Sequence, residues 1–462
     1  MVPGWAPFNS LISSKSKNLQ QVGFLPIVPH PVTKYATVDK CLYNFLNVLK
    51  QLDQHNMAVF CDEGVYHIAR ELQLKKPKEF KNLVLCLGSF HLIKVLLACI
   101  GKYLDGSGCR TIWVENRVFG QEVVQSVLQG SDYKRSMEGI TSLGECMERL
   151  QWNEFLRGKK IMYKTPFNDI KSMKKAVSIR DKEESQKSLE KFKISSAQLL
   201  KDFETFKSET SKASETFRYW NNFIDMVHLL RDIVRADREG DWNLHLSSVK
   251  DTLPLFKIFD RTNYLRWCSM YVEDMQGLKE SAPDVFAAFM EGKFSVKRNV
   301  GHFNSVGADM CLEQTINRSS KGKGGVVGET KRKEFFTSWN LVYHEMLGVT
   351  NLARELSGSQ LDHRELALHH DDSRADIERV ERNVQNMMEY IESKENPFSM
   401  SSEQRLHNIL TQEIMSESIR DNLLNVFENG QVQFNQFRDK RFVERSEKIS
   451  DTIHRNNKYQ NF

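Results

Sequence analysis

Residues 57–104, MAVFCDEGVYHIARELQLKKPKEFKNLVLCLGSFHLIKVLLACIGKYL, decide the fold of this 462-residue chain. Two short apolar runs, Met57–Cys61 and Asn82–Leu87, are typical of buried β-strands. The segments that follow them, Glu63–Leu74 and Ser89–Leu104, carry apolar residues at helical spacing, and Ser89 is suited to cap the second helix. Strands that alternate with helices predict parallel crossover connections and a sheet covered by helices.

The sequence upstream extends this alternation. Val22–Val28 is a short apolar run bounded by prolines, and we predict an edge strand because Pro26 cannot donate a hydrogen bond to a sheet. Thr37–Leu52 has the apolar periodicity of a helix. The order strand, helix, strand, helix, strand, helix indicates an α/β fold whose sheet lies in roughly the first 110 residues.

From Arg117 onward the sequence predicts helices rather than strands, at Val118–Leu128, Tyr133–Leu156 and Phe217–Val234. Aromatic residues then recur at helical spacing, and such density is more often part of a core than a surface on which bases stack. The tail from Ser357 is helical and polar, and we interpret it as an appendage.

The composition excludes several classes of protein. Hydrophobic residues make up 40% and charged residues 27%, which is a globular rather than a disordered balance. The eight cysteines form no CxxC pair, so a zinc knuckle or a redox motif is not indicated, and a reducing compartment fits best. No signal peptide is recognisable, and the apolar stretch 82–100 is interrupted by His91 and Lys94. We therefore expect an intracellular protein without a membrane partner.

Positive charge is concentrated in one segment. The chain carries a formal net charge of +5, and residues 157–215 contain 15 Lys or Arg against 9 Asp or Glu. A mixed charge run of this kind is usually a solvated helix or a mobile linker. The alternative is a face that binds phosphate, for which Lys171, Lys174 and Lys175 are the best candidates because they are close enough to lie along one or two helical turns.

Asp62 directly follows the strand Met57–Cys61. In parallel sheets, ligands and catalytic groups gather at the carboxyl ends of the strands, which makes Asp62 a candidate site residue. The alternative is that Asp62 caps the helix beginning at Glu63, which is a common position for an aspartate.

The segment 301–328, GHFNSVGADMCLEQTINRSSKGKGGVVG, is the richest in polar chemistry. If Ala308–Asn317 is helical, Asp309, Glu313 and Asn317 share one face, where carboxylates could hold Mg²⁺ against a phosphate substrate. Three cations follow in a glycine-bearing stretch whose backbone could approach a phosphate, namely Arg318, Lys321 and Lys323. The alternative is that the acids favour a helix N-terminus electrostatically and that the glycines form an ordinary loop.

Several motifs together suggest a family: MAVFCDEGVYHIA, NLVLCLGSFH, DWNLHL, NYLRW and GADMCLEQTINRS. In these motifs the chain resembles a group of transposon-derived animal proteins that look like relatives of DDE-type cut-and-paste transposases, whose fold is RNase H-like. The resemblance covers roughly residues 3–350 and does not extend clearly into the tail. It implies a protein of the nucleus that acts on DNA.

The resemblance assigns roles to particular residues. Asp62 matches the second catalytic Asp, at the end of the fourth strand, and Glu313 matches the third acid. His91 resembles the histidine that some of these enzymes carry after the next strand. The implied cofactor is Mg²⁺, or Mn²⁺, held by Asp62 and Glu313 with Asp309 as a further ligand.

The resemblance also implies four regions: an RNase H-like core in 1–114, a helical insertion in 115–305, a returning core helix and glycine-bearing loop in 306–356, and a helical tail in 357–462. The first strands of the core are missing, and residues 1–21 contain no Asp or Glu that could replace the first catalytic Asp. We therefore expect a partial RNase H-like sheet and a catalytically incomplete protein. The alternatives are a non-enzymatic nucleic-acid-binding protein and a helical scaffold for protein interactions.

Overall fold

The computed structural model describes residues 5–13, 19–20, 30–179, 181–297, 301–317, 374–399 and 404–443, with isolated positions between 22 and 28 and between 332 and 356. The first eight helices, α1 to α8, are Trp5–Ile12, Tyr35–Gln51, Glu63–Lys75, Pro77–Phe80, Ser89–Tyr103, Cys109–Glu115, Gln121–Leu128 and Tyr133–Phe155. The next eight, α9 to α16, are Lys164–Ser178, Lys182–Ser195, Ala197–Ala213, Glu215–Glu239, Trp242–Ile258, Thr262–Gln276, Leu278–Ser281 and Pro283–Met290.

The remaining described helices are α17 (Ala308–Leu312), α18 (Arg374–Lys394), α19 (Glu417–Leu424) and α20 (Val426–Arg438), with π-helical turns at Glu313–Asn317 and Asp439–Val443. The strands are β1 (Met57–Cys61), β2 (Leu83–Leu87), β3 (Ser295–Val296) and β4 (Val306–Gly307). The protein is thus mostly helical and contains only small sheets in the part that the structure describes. No helix in that part is both long and apolar enough to cross a bilayer.

The parallel crossover predicted from residues 57–104 is present. β1 and β2 are parallel and in register from Met57 opposite Leu83 to Cys61 opposite Leu87. Helix α3 connects them and packs against both strands. Local periodicity was sufficient here because each element buries one face against its neighbours along the chain.

The strand predicted at Val22–Val28 is not observed at its described positions, none of which lies in a strand. Val22 and Leu25 are instead exposed to solvent. The backbone just before this segment is held by Lys297, since the N–H of Gln20 donates to the Lys297 carbonyl oxygen at 2.8 Å. Pro26 removes one backbone donor from the run, which weakens its pairing with a sheet.

One cluster of buried hydrophobic side chains extends along the sequence from Val38 to Phe434. Trp220 and Tyr271 belong to it, as the aromatic periodicity predicted. The C-terminal segment is not the appendage that its polarity suggested, because Met387 and Ile391 of α18 are fully buried in the same cluster.

The basic segment 157–215 is a set of helices, α9 to α11, and not an extended linker. A second small cluster of buried side chains lies at its base, formed by Phe155, Leu156, Tyr163, Leu199 and Phe203. The indole of Trp152 stacks on the ring of Phe203 with centroids 3.7 Å apart. These few aromatic contacts order a segment whose surface is otherwise polar.

Candidate functional site

The carboxyl ends of β1 and β2 lie side by side. The N–H of Gly88, just after β2, donates to the carbonyl oxygen of Cys61 at 2.8 Å, which extends the pairing to the last residue of β1. Asp62 immediately precedes α3, and Ser89 is the first residue of α5. Both therefore lie at the same edge of the sheet. This is the edge at which parallel sheets usually bind ligands.

Asp62 occupies the N-cap position of α3. Its Oδ1 accepts a hydrogen bond from the N–H of Val65 at 2.8 Å. Of the two interpretations of Asp62, the structure thus displays the helix cap directly. The carboxylate satisfies one of the backbone donors that the first turn of a helix leaves without an intrahelical partner.

Asp309 reaches the same edge from far along the chain. Its Oδ1 accepts from the N–H of Phe90 at 3.1 Å, and its Oδ2 accepts from the N–H of His91 at 3.2 Å. The Oδ2 also lies 3.1 Å from Nδ1 of His91, whose side chain remains 30% exposed. The N-terminus of α5 is therefore capped by a residue 219 positions away from Phe90 and not by Ser89, which had been predicted to cap it.

Two glycines make room for this arrangement. A Cβ atom on Gly88 would lie 2.2 Å from Oδ2 of Asp309, and one on Gly307 would lie 2.2 Å from Oγ of Ser89. Neither distance is compatible with a side chain larger than hydrogen. The segment that carries Asp309 can approach α5 this closely only because both backbones lack side chains at the point of contact.

A buried polar network continues inward from Ser89. Its hydroxyl donates to Oδ2 of Asp237 at 2.5 Å instead of capping α5. The other oxygen of Asp237 lies 3.5 Å from Nδ1 of His245, an electrostatic contact without hydrogen-bond geometry. Nε2 of His245 lies 3.3 Å from the hydroxyl of Tyr271. Burial raises the pKa of Tyr271 well above its usual value, so this hydroxyl stays protonated.

The pKa of Tyr264 depends in part on the acids at this edge. Burial raises its pKa, and the nearby charges of Glu63, Asp62 and Asp309 raise it further. The pKa of Glu63 is itself raised, first by burial and then by the charge of Asp62, although His67 opposes the shift. Asp309 lies at the same edge as Asp62 because α17 packs against β1 and α5.

Glu313 follows Asp309 by one turn, but the helix between them changes its winding. The predicted helix Ala308–Asn317 is α-helical only to Leu312 and continues as a π-helical turn. Glu313 is half-buried, and its Oε1 accepts from the side-chain amide of Asn317 at 2.9 Å. Glu313 and Asn317 thus contact each other as their spacing suggested, whereas the carboxylate of Asp309 is turned to α5.

The described side chains do not gather into a metal centre. Within the described ranges, no group of three or more His, Cys, Asp or Glu side chains is placed to hold a cation. Both oxygens of Asp309 accept backbone N–H groups, and Asp62 accepts one. The Mg²⁺ expected from the resemblance therefore does not fit these residues as they are arranged.

The candidate phosphate-binding residues fall into two sets. Lys171, Lys174 and Lys175 lie on α9 with exposed side chains. Lys174 lies near Glu381 of α18, where its charge contributes to a lowered carboxyl pKa behind the larger effect of Arg149. The second set lies outside the described residues and consists of Arg318, Lys321 and Lys323.

Comparison with protein families gives a match to a domain of unknown function, DUF8702, over residues 4–462. The chain belongs to the DUF8702 family. Searches of curated proteins and of solved structures give no significant match.

Sequence reasoning missed the inner network of this DUF8702 protein, although one signal was present. Asp237 follows Leu230 by seven residues and Ile233 by four, so it continues the apolar stripe of α12. A carboxylate at such a position is buried and needs a partner from another element. The sequence does not reveal that the partners are Ser89 and His245.

Proposed function

We propose that this DUF8702 protein is a transposon-derived, RNase H-like protein that binds DNA without cutting it. The observation that carries the proposal is the return of Ala308–Asn317 to the carboxyl ends of β1 and β2. Helix α17 packs against β1 and α5 after a long helical excursion, and it brings Asp309 to His91. Several of the transposases that the sequence resembles have a helical insertion before the helix that bears their third acid.

From the hydrogen bonds that the acids form, we infer that cleavage is lost. Two-metal phosphodiester chemistry needs carboxylates that hold two cations about 3.5 to 4 Å apart. Asp62 and Asp309 are instead bonded to the first turns of α3 and α5. In this proposal, positions that were predicted to hold a metal stabilise helices at the polar edge.

DNA binding is assigned to α9. Lys164, Lys171 and Lys175 are exposed and follow one another at intervals of seven and four residues, which puts them within about 40° of each other around the helix. A row of cations of this kind can neutralise successive phosphates and release their counterions. Binding of this type does not depend on the base sequence of the DNA. In a cell, it would favour localisation of the protein to the nucleus.

The binding test uses salt dependence. We expect the affinity for a duplex to fall with rising salt, at a log–log slope of about −0.9 for each phosphate neutralised. Changing Lys171, Lys174 and Lys175 together to Gln should weaken binding to all sequences alike and make the slope shallower.

A matched control removes the same charge elsewhere, by changing the exposed Lys50, Lys78 and Lys81 to Gln. The control should lose less affinity and keep the slope of the parent. Equal effects of the two triple variants would mean that only net charge matters. If the parent does not bind a duplex at low salt, the assignment is wrong and a scaffold for protein interactions takes its place.

The cleavage test asks whether the ancestral reaction survives. We expect no nicking of duplex DNA in Mg²⁺ or Mn²⁺. Nicking by the parent that is abolished by Asp62→Ala or Glu313→Gln, in variants that remain folded, would contradict the proposal. It would mean that these acids, with Asp309, rearrange around a cation when DNA binds.

A further inference from the structure

The loop between α8 and α9 exposes two apolar side chains. Ile161 is 90% exposed and Met162 is 74% exposed. The loop is nevertheless held in place at both ends. Phe155 precedes it and Tyr163 follows it, both buried, and the Tyr163 hydroxyl donates to Oδ2 of Asp202 at 2.8 Å. The fixed turn thus holds both apolar side chains in a position where a partner could contact them.

Cations surround the two apolar side chains. Arg157, Lys160 and Lys164 are exposed on either side of them. Among the described residues, Lys160 and Lys164 form no ion pair, whereas Arg157 lies 3.1 Å from Glu154. The charge around the apolar pair therefore favours a partner that carries negative charge.

The same charge continues along α9. From Lys164 the row of exposed lysines extends to Lys175, over about 16 Å of helix axis. The opposite face of α9 is already used, because Met173, Ala176 and Val177 are buried in the protein. The helix thus offers one cationic row with an apolar pair at its N-terminal end.

We propose that Ile161 and Met162 form a wedge that enters the minor groove of duplex DNA and partly separates two stacked base pairs, while the lysine row of α9 follows the adjacent phosphates. The inference rests on the proposed DNA binding and adds how the duplex is deformed. Architectural proteins use one or two apolar side chains in this way, and the insertion kinks the duplex. Flexible pyrimidine–purine steps should be preferred because they unstack most easily.

An anionic membrane is the other surface with such charge, and the structure favours it less. A helix that lies on a bilayer has an exposed apolar face along its length. In α9 that face is buried, and the exposed apolar side chains are the two loop residues before the helix and Ile179 at its end. Two side chains suffice for a wedge between base pairs but give a bilayer little apolar area.

The test measures bending and unstacking together. A 20-base-pair duplex (about two helical turns) carries fluorophores at its ends and 2-aminopurine beside a central TA step. We expect the parent to shorten the end-to-end distance and to raise 2-aminopurine fluorescence. The variant Ile161→Ser/Met162→Ser should abolish both signals and weaken affinity about tenfold or more, with the salt slope unchanged.

The matched control is Ile419→Ser/Val432→Ser, which removes two apolar side chains that are 53% and 55% exposed on α19 and α20. It should bend and unstack the duplex like the parent. Bending that survives in Ile161→Ser/Met162→Ser, or is lost equally in the control, overturns the wedge. Lysine-dependent binding without any bending also overturns it while leaving the proposed function intact. Duplex binding that does not depend on the α9 lysines would instead contradict the proposed function itself.

Vesicles that contain phosphatidylserine provide the last arm. The parent should not bind them at a salt concentration at which it binds the duplex. Binding to vesicles that disappears in Ile161→Ser/Met162→Ser, with duplex bending unchanged, would assign the loop to a membrane and overturn the wedge.

Discussion

Replacing Gly88 by alanine places a methyl group where the Asp309 carboxylate lies. The backbone of Gly88 has φ −72° and ψ 129°, which any residue can adopt, so strain of the backbone does not enter. The new Cβ would lie 2.2 Å from Oδ2 and 2.4 Å from Cγ of Asp309. The carboxylate must therefore move by about 1 Å, since non-bonded heavy atoms of this kind rarely approach below about 3 Å.

A shift of that size breaks the cap of α5. The hydrogen bonds to Phe90 and His91 are 3.1 and 3.2 Å long, so they have little length to spare. A lost N-cap costs about 0.5 to 2 kcal/mol, and partly buried donors left without a partner cost about 1 to 3 kcal/mol. We expect Gly88→Ala and Asp309→Ala each to destabilise the protein by about 2 to 3 kcal/mol.

The two changes should not be additive, because the same cap can be lost only once. The double variant should cost about 1 to 2 kcal/mol less than the sum of the single variants. Urea unfolding measures the cycle, and hydrogen exchange locates it, since the amides of Phe90 and His91 should exchange faster in all three variants. Gly64→Ala is the control, because its Cβ would lie 3.8 Å from the nearest atom, Oδ1 of Asp62. Strict additivity, or an unchanged exchange rate at these amides, would refute the reasoning.

Three further changes test other contacts. Asp62→Ala should cost about 1 kcal/mol through loss of the α3 cap, with faster exchange of the Val65 amide as its local signature. The hydrogen bond from Arg149 lowers the pKa of Glu381, so this pair stabilises α18 above the carboxyl's unfolded pKa and ceases to do so as the pH falls through its lower folded value. Because Glu381 is 45% exposed, the effect should stay below about 1 kcal/mol, and Glu381→Gln should remove this part of the acid dependence of unfolding. Met387→Ala should cost about 2 to 5 kcal/mol in urea unfolding, and an unchanged midpoint would show that α18 is not docked.

The elements that could be predicted from the sequence are those fixed by nearby residues. β1, α3, β2 and α5 begin and end within a few residues of their predicted limits because apolar periodicity is a local property. Val22–Val28 has the same apolar character but lacks a strand partner at its described positions. A short apolar run by itself does not contain the information that decides whether another strand lies beside it.

The site was harder to predict because its contacts are non-local. Asp62 was correctly located at the end of a strand, but the residue type is equally suited to a cap and to a ligand, and only geometry displays the cap. Ser89 has the local features of a cap, yet its hydroxyl is taken by Asp237, and Asp309 performs the capping. A single sequence does not reveal that one distant acid accepts the Ser89 hydroxyl while another caps the helix.

The distance between α5 and its cap has a consequence for synthesis on the ribosome. Asp309 is translated 219 residues after Phe90, so at about 5 to 20 residues per second it follows by about 10 to 45 s. During that interval the start of α5 has open amide groups and the adjacent end of the sheet is uncovered. The nascent protein therefore cannot complete this edge until Asp309 has been synthesised. A chaperone that acts on the nascent chain would be of most use at this edge.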